Sequence, residues 1–574
     1  MKILLIYPYC LEDRLYGEET SVLPIGLYYI GAILKENNYD VEILNWHDIN
    51  KAPHLIKETL LEKAPDIIGL SILQANRWGG IEIAQTAKQI NPRIKIIFGG
   101  IGATFLCEHL LENFKEIDFL VIGEGEYPFL GLVEYLKNPA NNKLSEIKGI
   151  AYNKNGKTIK TEPAAYIEDL DELPIPAKYF TYQHLSSTRG CPGNCSFCGS
   201  PKFWGRKVRF HSSDYFVEQL EILSRKGVSF FYFSDDTFTI NKKRVIAICK
   251  KIIEKGLNIT WAAISRVDYV NEEILSWMRR AGCIQISYGV ESGSEKIRYQ
   301  ILNKKIKDEQ IKMAFRMTTK YGILSRAYFI YGLKGETWST IQETIDLIDE
   351  LKPLSAIFYI LDLFPGTALY SDYQKKAGIT DDIWKKKIED IMYFETDPLL
   401  SQNLIIAFGH KLRSYYYSNI NLYADSVELI NEESFYPMHS DFFSRLGMTF
   451  SHGDYADKEE IQNKEKIAEK LFKRSLEYYP DQRAFLGLGI ISQMRRDFKE
   501  SIRVLLKAIK YFPESEQLIL CLGISYMNLG AFKKALSYFL EFETSTQIIP
   551  YIANCYHALG DYAKEAEIKD TSKK

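Results

Sequence analysis

Short apolar runs alternate with longer amphipathic stretches over the first ~140 residues. Strands are expected at 2–7, 41–44, 66–71, 94–98 and 118–122, with helices at 26–37 and 80–91 among the intervening segments. Alternation of this kind predicts a doubly wound parallel sheet, because parallel strands need helical crossovers. Polar residues 138–161 follow, with the turn signal Asn153-Lys154-Asn155-Gly156 predicting a hairpin. Pro174 and Pro176 mark a linker. A second series places strands at 185–188, 229–233, 259–264, 284–288, 324–330 and 356–361, each followed by a helical pattern. Six such units predict a partial (β/α)6 barrel, since a full barrel of eight needs more chain.

Residues 371–455 read as helical. Beyond them Leu488-Gly489 recurs 34 residues later as Leu522-Gly523. Phe498, Ala508 and Pro513 accompany the first copy; Tyr526, Gly530, Ala535 and Phe539 accompany the second. A half-copy precedes them (Ala468, Phe472, Pro480) and a degenerate one follows (Tyr556, Gly560, Tyr562, Ala566). The fold class expected is therefore α/β multidomain. Residues 1–143 form the parallel-sheet domain, 144–184 a linker, 185–370 the partial barrel, 371–455 a helical extension and 456–569 an all-α repeat array.

Composition narrows the function classes. The 574 residues are 46% apolar and 25% charged with a net charge of −2, an ordinary globular balance that gives no argument for a nucleic-acid or anionic-membrane partner. No apolar run approaches the ~20 residues that span a bilayer, and the run Ile3–Ile6 is too short for a signal-peptide core. A cytoplasmic protein is expected. Nine cysteines, three of them crowded together, do not make a secreted disulfide framework. The scattered six (Cys10, Cys107, Cys249, Cys283, Cys521, Cys555) are expected to pack as small core hydrophobes.

The crowded three lie in Thr188-Arg189-Gly190-Cys191-Pro192-Gly193-Asn194-Cys195-Ser196-Phe197-Cys198-Gly199, spaced C-x3-C-x2-C. Three thiolates on one loop can face three corners of an iron–sulfur cubane, and the glycines let the backbone wrap. A cubane normally takes four thiolates, so one iron stays open to another ligand. The alternative is a zinc site completed by His184 or His211, but zinc sites usually pair their ligands as separated knuckles.

This loop, opening a βα series, resembles that of the radical S-adenosylmethionine (SAM) superfamily. The resemblance implies a [4Fe–4S] cluster on Cys191, Cys195 and Cys198 whose open iron chelates SAM. Reduction of the sulfonium would then release a 5′-deoxyadenosyl radical. Further strand ends resemble the family in order. Ser234-Asp235-Asp236-Thr237 stands where a short polar stretch, more commonly Gly-Gly-Glu, holds the SAM amino group. Arg266, in Ser265-Arg266-Val267-Asp268, is similar to a residue that reaches the SAM carboxylate. Glu291, in Gly289-Val290-Glu291-Ser292-Gly293, resembles the ribose-hydroxyl partner. Gly332 lies in Tyr328–Glu336, similar to the adenine-binding stretch, with Lys334 where proline is common. Phe364-Pro365-Gly366-Thr367 ends the sixth strand in the family's manner. Each has a plain reading too: Asp235 and Asp236 as caps of the helix starting near Asn241, Arg266 and Asp268 as a surface pair, Glu291 as a cap.

The first domain resembles the cobalamin-binding domain that precedes many radical SAM enzymes. Leu23-Pro24-Ile25-Gly26-Leu27, Gly99-Gly100-Ile101-Gly102 and Gly123-Glu124-Gly125-Glu126 carry the likeness, at the strand ends where open α/β sheets bind ligands. The resemblance implies cobalamin contacts at Pro24, Gly26, Gly99, Gly100, Gly123, Glu124 and Gly125. The loop 8–23 holds no histidine, and His47 follows the second strand, so cobalt is expected to lack a His ligand. The repeat array resembles tetratricopeptide repeats.

The expected function is cobalamin-dependent methyl transfer from SAM to an unactivated carbon. A cobalamin-dependent radical cyclase or rearrangement enzyme is the runner-up. An interaction protein with a structural cluster is the alternative of another class, and a methylthiotransferase is weakened by the lack of a second cysteine triad. A small-molecule, carrier-linked or peptide-linked substrate, a protein partner at the repeats, and a flavodoxin or ferredoxin reductant are expected. No general acid or base is singled out.

Overall fold

A computed structural model describes residues 1–11, 24–140 and 143–571. It divides into two compact units: Met1–Thr318 with Ser325–Arg413, and Thr319–Leu324 with Ser414–Lys574.

In the first unit β1 (Lys2–Tyr7), β2 (Asp40–Asn45), β3 (Ile67–Ser71), β4 (Lys95–Gly99) and β5 (Phe119–Val121) form a parallel sheet. The predicted hairpin, β6 (Ile150–Lys154) and β7 (Lys157–Lys160), extends it antiparallel from β5. The order is β2-β1-β3-β4-β5-β6-β7, so the winding reverses between β1 and β3. Central β1 is apolar on both faces because both are covered. Leu5, Ile97 and Val121 pack with Leu27 and Phe129, on the side of the helices Ile25–Glu36 and Glu126–Lys137. Leu4, Ile68 and Phe98 pack on the other side with Ile83, Trp384 and Tyr370.

A second sheet follows, made of β8 (His184–Leu185), β11 (Phe230–Phe233), β12 (Thr260–Ser265), β13 (Cys283–Glu291), β14 (Leu324–Tyr331) and β15 (Ser355–Ile360) in sequential order. Between β8 and β11 the short strands β9 (Thr188–Arg189) and β10 (Arg209–Phe210) pair antiparallel. Six strands in chain order match the expected (β/α)6 arrangement. Caps stop its helices where the sequence signals them: Ser212 Oγ accepts from Tyr215 N at 3.1 Å ahead of Ser213–Arg225, and Asn241 Oδ1 accepts from Arg244 N ahead of Lys242–Glu254. That second cap leaves Asp235 and Asp236 uninvolved in helix capping.

The second unit is helical. Lys464–Tyr478, Gln482–Met494, Phe498–Ala508, Glu516–Asn528, Phe532–Phe539, Ile549–Ala558 and Tyr562–Thr571 run in succession. The 34-residue period has a packing cause. A Cβ on Gly489 would press to 2.9 Å from Leu505, and one on Gly523 would overlap Phe539, the equivalent position of the next copy. Five of the scattered cysteines are buried and Cys10 is half-buried, none in a disulfide. Among the described residues no helix is long and apolar enough to cross a membrane.

Candidate active site

The three loop cysteines are half-buried and carry no disulfide. Gly190 takes φ +103°, and a Cβ there would press to 2.8 Å from the Lys207 carbonyl, so the turn into the loop needs glycine. A Cβ on Gly193 would lie 3.3 Å from Cys191 Sγ, 3.9 Å from Cys195 Sγ and 3.4 Å from Arg266 Nη1. Two thiols and a guanidinium therefore converge over a bare backbone. Burial pushes the Cys198 thiol up to about 12 and raises Cys195, where the Lys304 ammonium pulls the other way. Ligation must displace those protons. Among the described residues no three His, Cys, Asp or Glu side chains close on a single metal ion. Of the zinc-ligand candidates, His211 spends its ring nitrogens on Tyr29 (3.0 Å) and Asp171 (3.1 Å), and His184 holds Ser234 Oγ through Nδ1 at 3.1 Å.

A cavity of about 350 Å³ opens at the carboxyl ends of β1, β3, β4 and β5 and reaches between the sheet and the helices Ile25–Glu36 and Glu126–Lys137. All seven residues expected at cobalamin line it: Pro24, Gly26, Gly99, Gly100, Gly123, Glu124 and Gly125. Ser234 and Asp236 of the second sheet line it too, with Ser186 and Thr188. The glycines test whether a ligand fits. At Gly26 a Cβ would meet nothing within 4 Å among the described residues, so their packing does not account for its bareness, and at Gly123, where φ of +76° itself favours glycine, the space is equally open. They leave an open cradle at the mouth of a parallel sheet, where a bulky ligand approaches backbone. The cradle also abuts the cysteine loop: Ile101, a lining residue, would press its Cδ1 to 3.3 Å from a Cβ on Gly199. Leu23 and most of the histidine-free loop fall outside the described residues; His47 is half-buried and stacks on Tyr7 at 6.4 Å.

Glu124 does more than line the cavity. Its carboxylate accepts from Arg189 Nη1 (2.8 Å), Arg209 Nη1 (2.8 and 2.9 Å) and Ile167 N (2.7 Å), while Arg189 also pairs with Glu126. All four charged side chains are buried. Burial works against the Arg189 charge, but Glu126 and Glu124 outweigh it and hold the guanidinium protonated. The glycine turn after β5 is thereby tied to the residue ahead of Gly190 and Cys191.

The remaining expected residues divide. Asp235 is sealed: it accepts from Ser187 N and Oγ (both 2.9 Å) and Thr188 Oγ1 (2.6 Å), bracing the strand that leads into the loop. Burial raises its pKa against these bonds. Asp236 is bonded by Ser200 Oγ, and burial raises it as well. Arg266 grips Asp268 through Nε (3.0 Å) and Nη2 (2.8 Å), largely buried, with Nη1 toward Gly193. Glu291 adopts φ +69°, rare outside glycine, and its Oε1 pairs with buried Lys304 at 2.6 Å. It is no helix cap. Gly332 at φ +78° donates to Glu336 Oε2 at 2.7 Å, a carboxyl pushed up to about 7 by burial. Arg266, Glu291 and Gly332 thus stand apart from the glycine cavity, while Ser234 and Asp236 border it.

Arg189, Arg209 and Lys304 are the site residues that sequence reasoning passed over. Arg189 carried a signal, standing beside Gly190 in the loop motif. For Arg209 and Lys304 the local pattern looks like any surface basic residue, and only the buried carboxylate opposite reveals them.

The radical SAM superfamily model matches residues 185–348, and the B12 binding domain model matches residues 19–133. An uncharacterized methyltransferase of Pyrococcus horikoshii is 34% identical over 414 residues, 70% of this chain and 88% of that one. The anaerobic magnesium-protoporphyrin IX monomethyl ester cyclase of Rubrivivax gelatinosus is 29% identical over 376 residues, 62% of this chain and 67% of the cyclase. The structure of the radical SAM methyltransferase TsrM from Kitasatospora setae, with cobalamin and a [4Fe–4S] cluster bound, has the same fold, with a TM-score of 0.55 at 17% identity over 66% of this chain and 76% of that one. With the cysteine loop opening the second sheet and the glycine cavity heading the first, the chain belongs to the radical SAM enzymes that carry a B12-binding domain.

Proposed function

We propose that this enzyme transfers a methyl group from SAM to an unactivated carbon, with a [4Fe–4S] cluster and cobalamin as cofactors. The observation that carries the reading is the cavity with walls from both sheets: a bare glycine cradle on one side, Ser234 and Asp236 on the other, and the cysteine loop against its rim.

Cys191, Cys195 and Cys198 would hold the cluster, and Pro24, Gly26, Gly99, Gly100, Gly123, Glu124 and Gly125 would surround the cobalamin tail. When bound, the cluster supplies the electron that cleaves SAM, and cobalamin carries the methyl group. The chain's own residues bind and orient. Ser234 and Asp236 offer oxygens to an ammonium group. Arg266, its Nε and Nη2 locked by Asp268, keeps Nη1 for a carboxylate. Glu291 offers an oxygen to a ribose, and the Gly332 turn receives a flat base. Asp235 holds the strand beneath them. Leu5, Ile97, Val121 and Phe129 form an apolar cavity wall, which would exclude water from the tail.

The hairpin array is read as tetratricopeptide repeats at 456–569, following the domain layout 1–143, 144–184, 185–370 and 371–455. It would offer a groove to a protein partner or to a carrier- or peptide-linked substrate. A flavodoxin or ferredoxin would supply electrons in the cytoplasm. A cyclase or rearrangement is the second reading, favoured by the 29% identity to the Rubrivivax gelatinosus cyclase. Anaerobic, reduced, cobalamin-loaded protein given SAM separates the two. Cobalamin-dependent S-adenosylhomocysteine alongside 5′-deoxyadenosine supports methyl transfer; 5′-deoxyadenosine alone supports the second reading. Neither product would remove both readings and leave a structural cluster.

A further inference from the structure

Lys304 is a cation with little exposure, and none of the roles above needs it. Its Nζ lies 2.6 Å from Glu291 Oε1, and both side chains are only 7% exposed. The pair occupies the space over Gly289, where a Cβ would overlap both the ammonium and the carboxylate. Glu291 meanwhile sits at φ +69°, a backbone state that a glutamate keeps only when its surroundings hold it there. Its second carboxylate oxygen takes no protein hydrogen bond among the described residues.

The residues just before Lys304 reach the other way. Asn303 Nδ2 donates to the Asn194 carbonyl at 2.7 Å. Ser196 N donates to the Leu302 carbonyl at 2.9 Å, and Ser196 Oγ donates to the Ile301 carbonyl at 2.6 Å. Asn194 and Ser196 flank Cys195 in the loop. Arg298, fully buried, anchors the base of this segment by donating to the Ser292 carbonyl at 2.6 Å and pairing with Asp308. One short stretch therefore grips the cysteine loop with two carbonyls and the Asn303 amide, and Glu291 with its ammonium.

We propose that Lys304 is a positioning residue for the nucleoside end of SAM: it pins Glu291 so that the free carboxylate oxygen receives a vicinal diol, in a frame set by the same segment that holds the cysteine loop. The inference rests on the reading of Glu291 as a ribose partner. A buried carboxylate without its cation would be costly and would turn toward other donors, so the pair keeps Glu291 aimed.

The test compares SAM with its 2′-deoxyadenosyl analogue, using equilibrium binding to the anaerobically reconstituted full chain. Wild-type protein should bind SAM about tenfold more tightly than the deoxy analogue, since a hydrogen bond to a buried charge is lost. Lys304→Met should bind SAM about as weakly as wild type binds the analogue, and should no longer distinguish the two ligands. Loss of ligand discrimination at unchanged iron content is a readout that general destabilisation does not produce. Should Lys304→Met fail to load its cluster, Lys304→Gln, which keeps a neutral donor within reach of Glu291, takes its place and should show a partial loss of discrimination at wild-type iron content; wild-type discrimination in Lys304→Gln would overturn the inference. If Glu291→Gln abolishes discrimination while the Lys304→Met protein keeps it, the inference about Lys304 is overturned and the role of Glu291 stands. If Glu291→Gln itself keeps discrimination, the ribose reading fails and the inference fails with it.

Discussion

Arg189 Nη1 lies 2.8 Å from Glu124 Oε1, with both side chains buried, and this pair joins the turn that floors the glycine cavity to the residue leading into the cysteine loop. Arg209 shares the same oxygen at 2.8 Å. Two arginines on one carboxylate, with Glu126 as second acceptor, make a rigid bracket between the halves of the first unit. Breaking a buried pair strands its partner, at a cost of about 3–5 kcal/mol. Glu124→Gln is expected to destabilise the first unit by an amount of that order, read from denaturant unfolding of the apoprotein. An effect under about 0.5 kcal/mol would show that the bracket is dispensable.

Gly26→Leu probes the cradle without disturbing the fold. Among the described residues no atom lies within 4 Å of the new Cβ, and the position is helical, where leucine is preferred to glycine. The apoprotein should melt at or slightly above the wild-type temperature, yet retain little cobalt after reconstitution with cobalamin. Full cobalt retention would move the cofactor elsewhere.

Cys198→Ala should lower iron content to background while leaving the melting temperature of the apoprotein near wild type, because the half-buried thiol fills no core position. A burial-raised thiol also makes cluster loading proton-releasing, so iron uptake should weaken as pH falls. Iron content unchanged in this variant would exclude Cys198 as a ligand.

Among the groups that should make stability vary with pH are two of opposite sign, His211 and Glu389. Burial lowers His211 from 6.5 to about 4, with Asp171 opposing. Between those values the unfolded chain binds the extra proton, so stability is complete above pH 6.5 and is lost as pH falls toward 4. The loss is at most about 3 kcal/mol. Glu389, whose carboxylate accepts from Trp78 N at 2.6 Å and Leu11 N at 2.9 Å, is raised by burial from 4.5 to about 7, so over that range the folded chain binds the extra proton and stability declines as pH rises. His211→Gln should flatten the first slope and Glu389→Gln the second, in unfolding free energies measured from pH 4 to 8. Unchanged slopes would show that neither group titrates as its burial dictates.

Much of this arrangement was legible in the chain. Continuous apolar runs such as Ile3–Ile6 announce central parallel strands, and the cysteine spacing with its glycines announces the loop. The glycine turns were legible as strand-end features, and all of them line one cavity. The bracket was not legible. Glu124 stood out for its glycine neighbours, and nothing local distinguishes Arg209 from a surface arginine until β10 places it beside that carboxylate. Lys304 was hidden for the same reason. Its partner is 13 residues away, across a turn whose positive φ at Glu291 no propensity foretells. Ion pairs between distant segments follow from topology, which periodicity constrains only loosely.

The most direct test of the account is the metal content of protein purified and reconstituted under anaerobic conditions with iron, sulfide and cobalamin. Roughly four irons and one cobalt per chain are expected, with iron lost in the Cys198→Ala protein and cobalt lost in the Gly26→Leu protein. Zinc in place of iron, or iron with no cobalt bound, would contradict it.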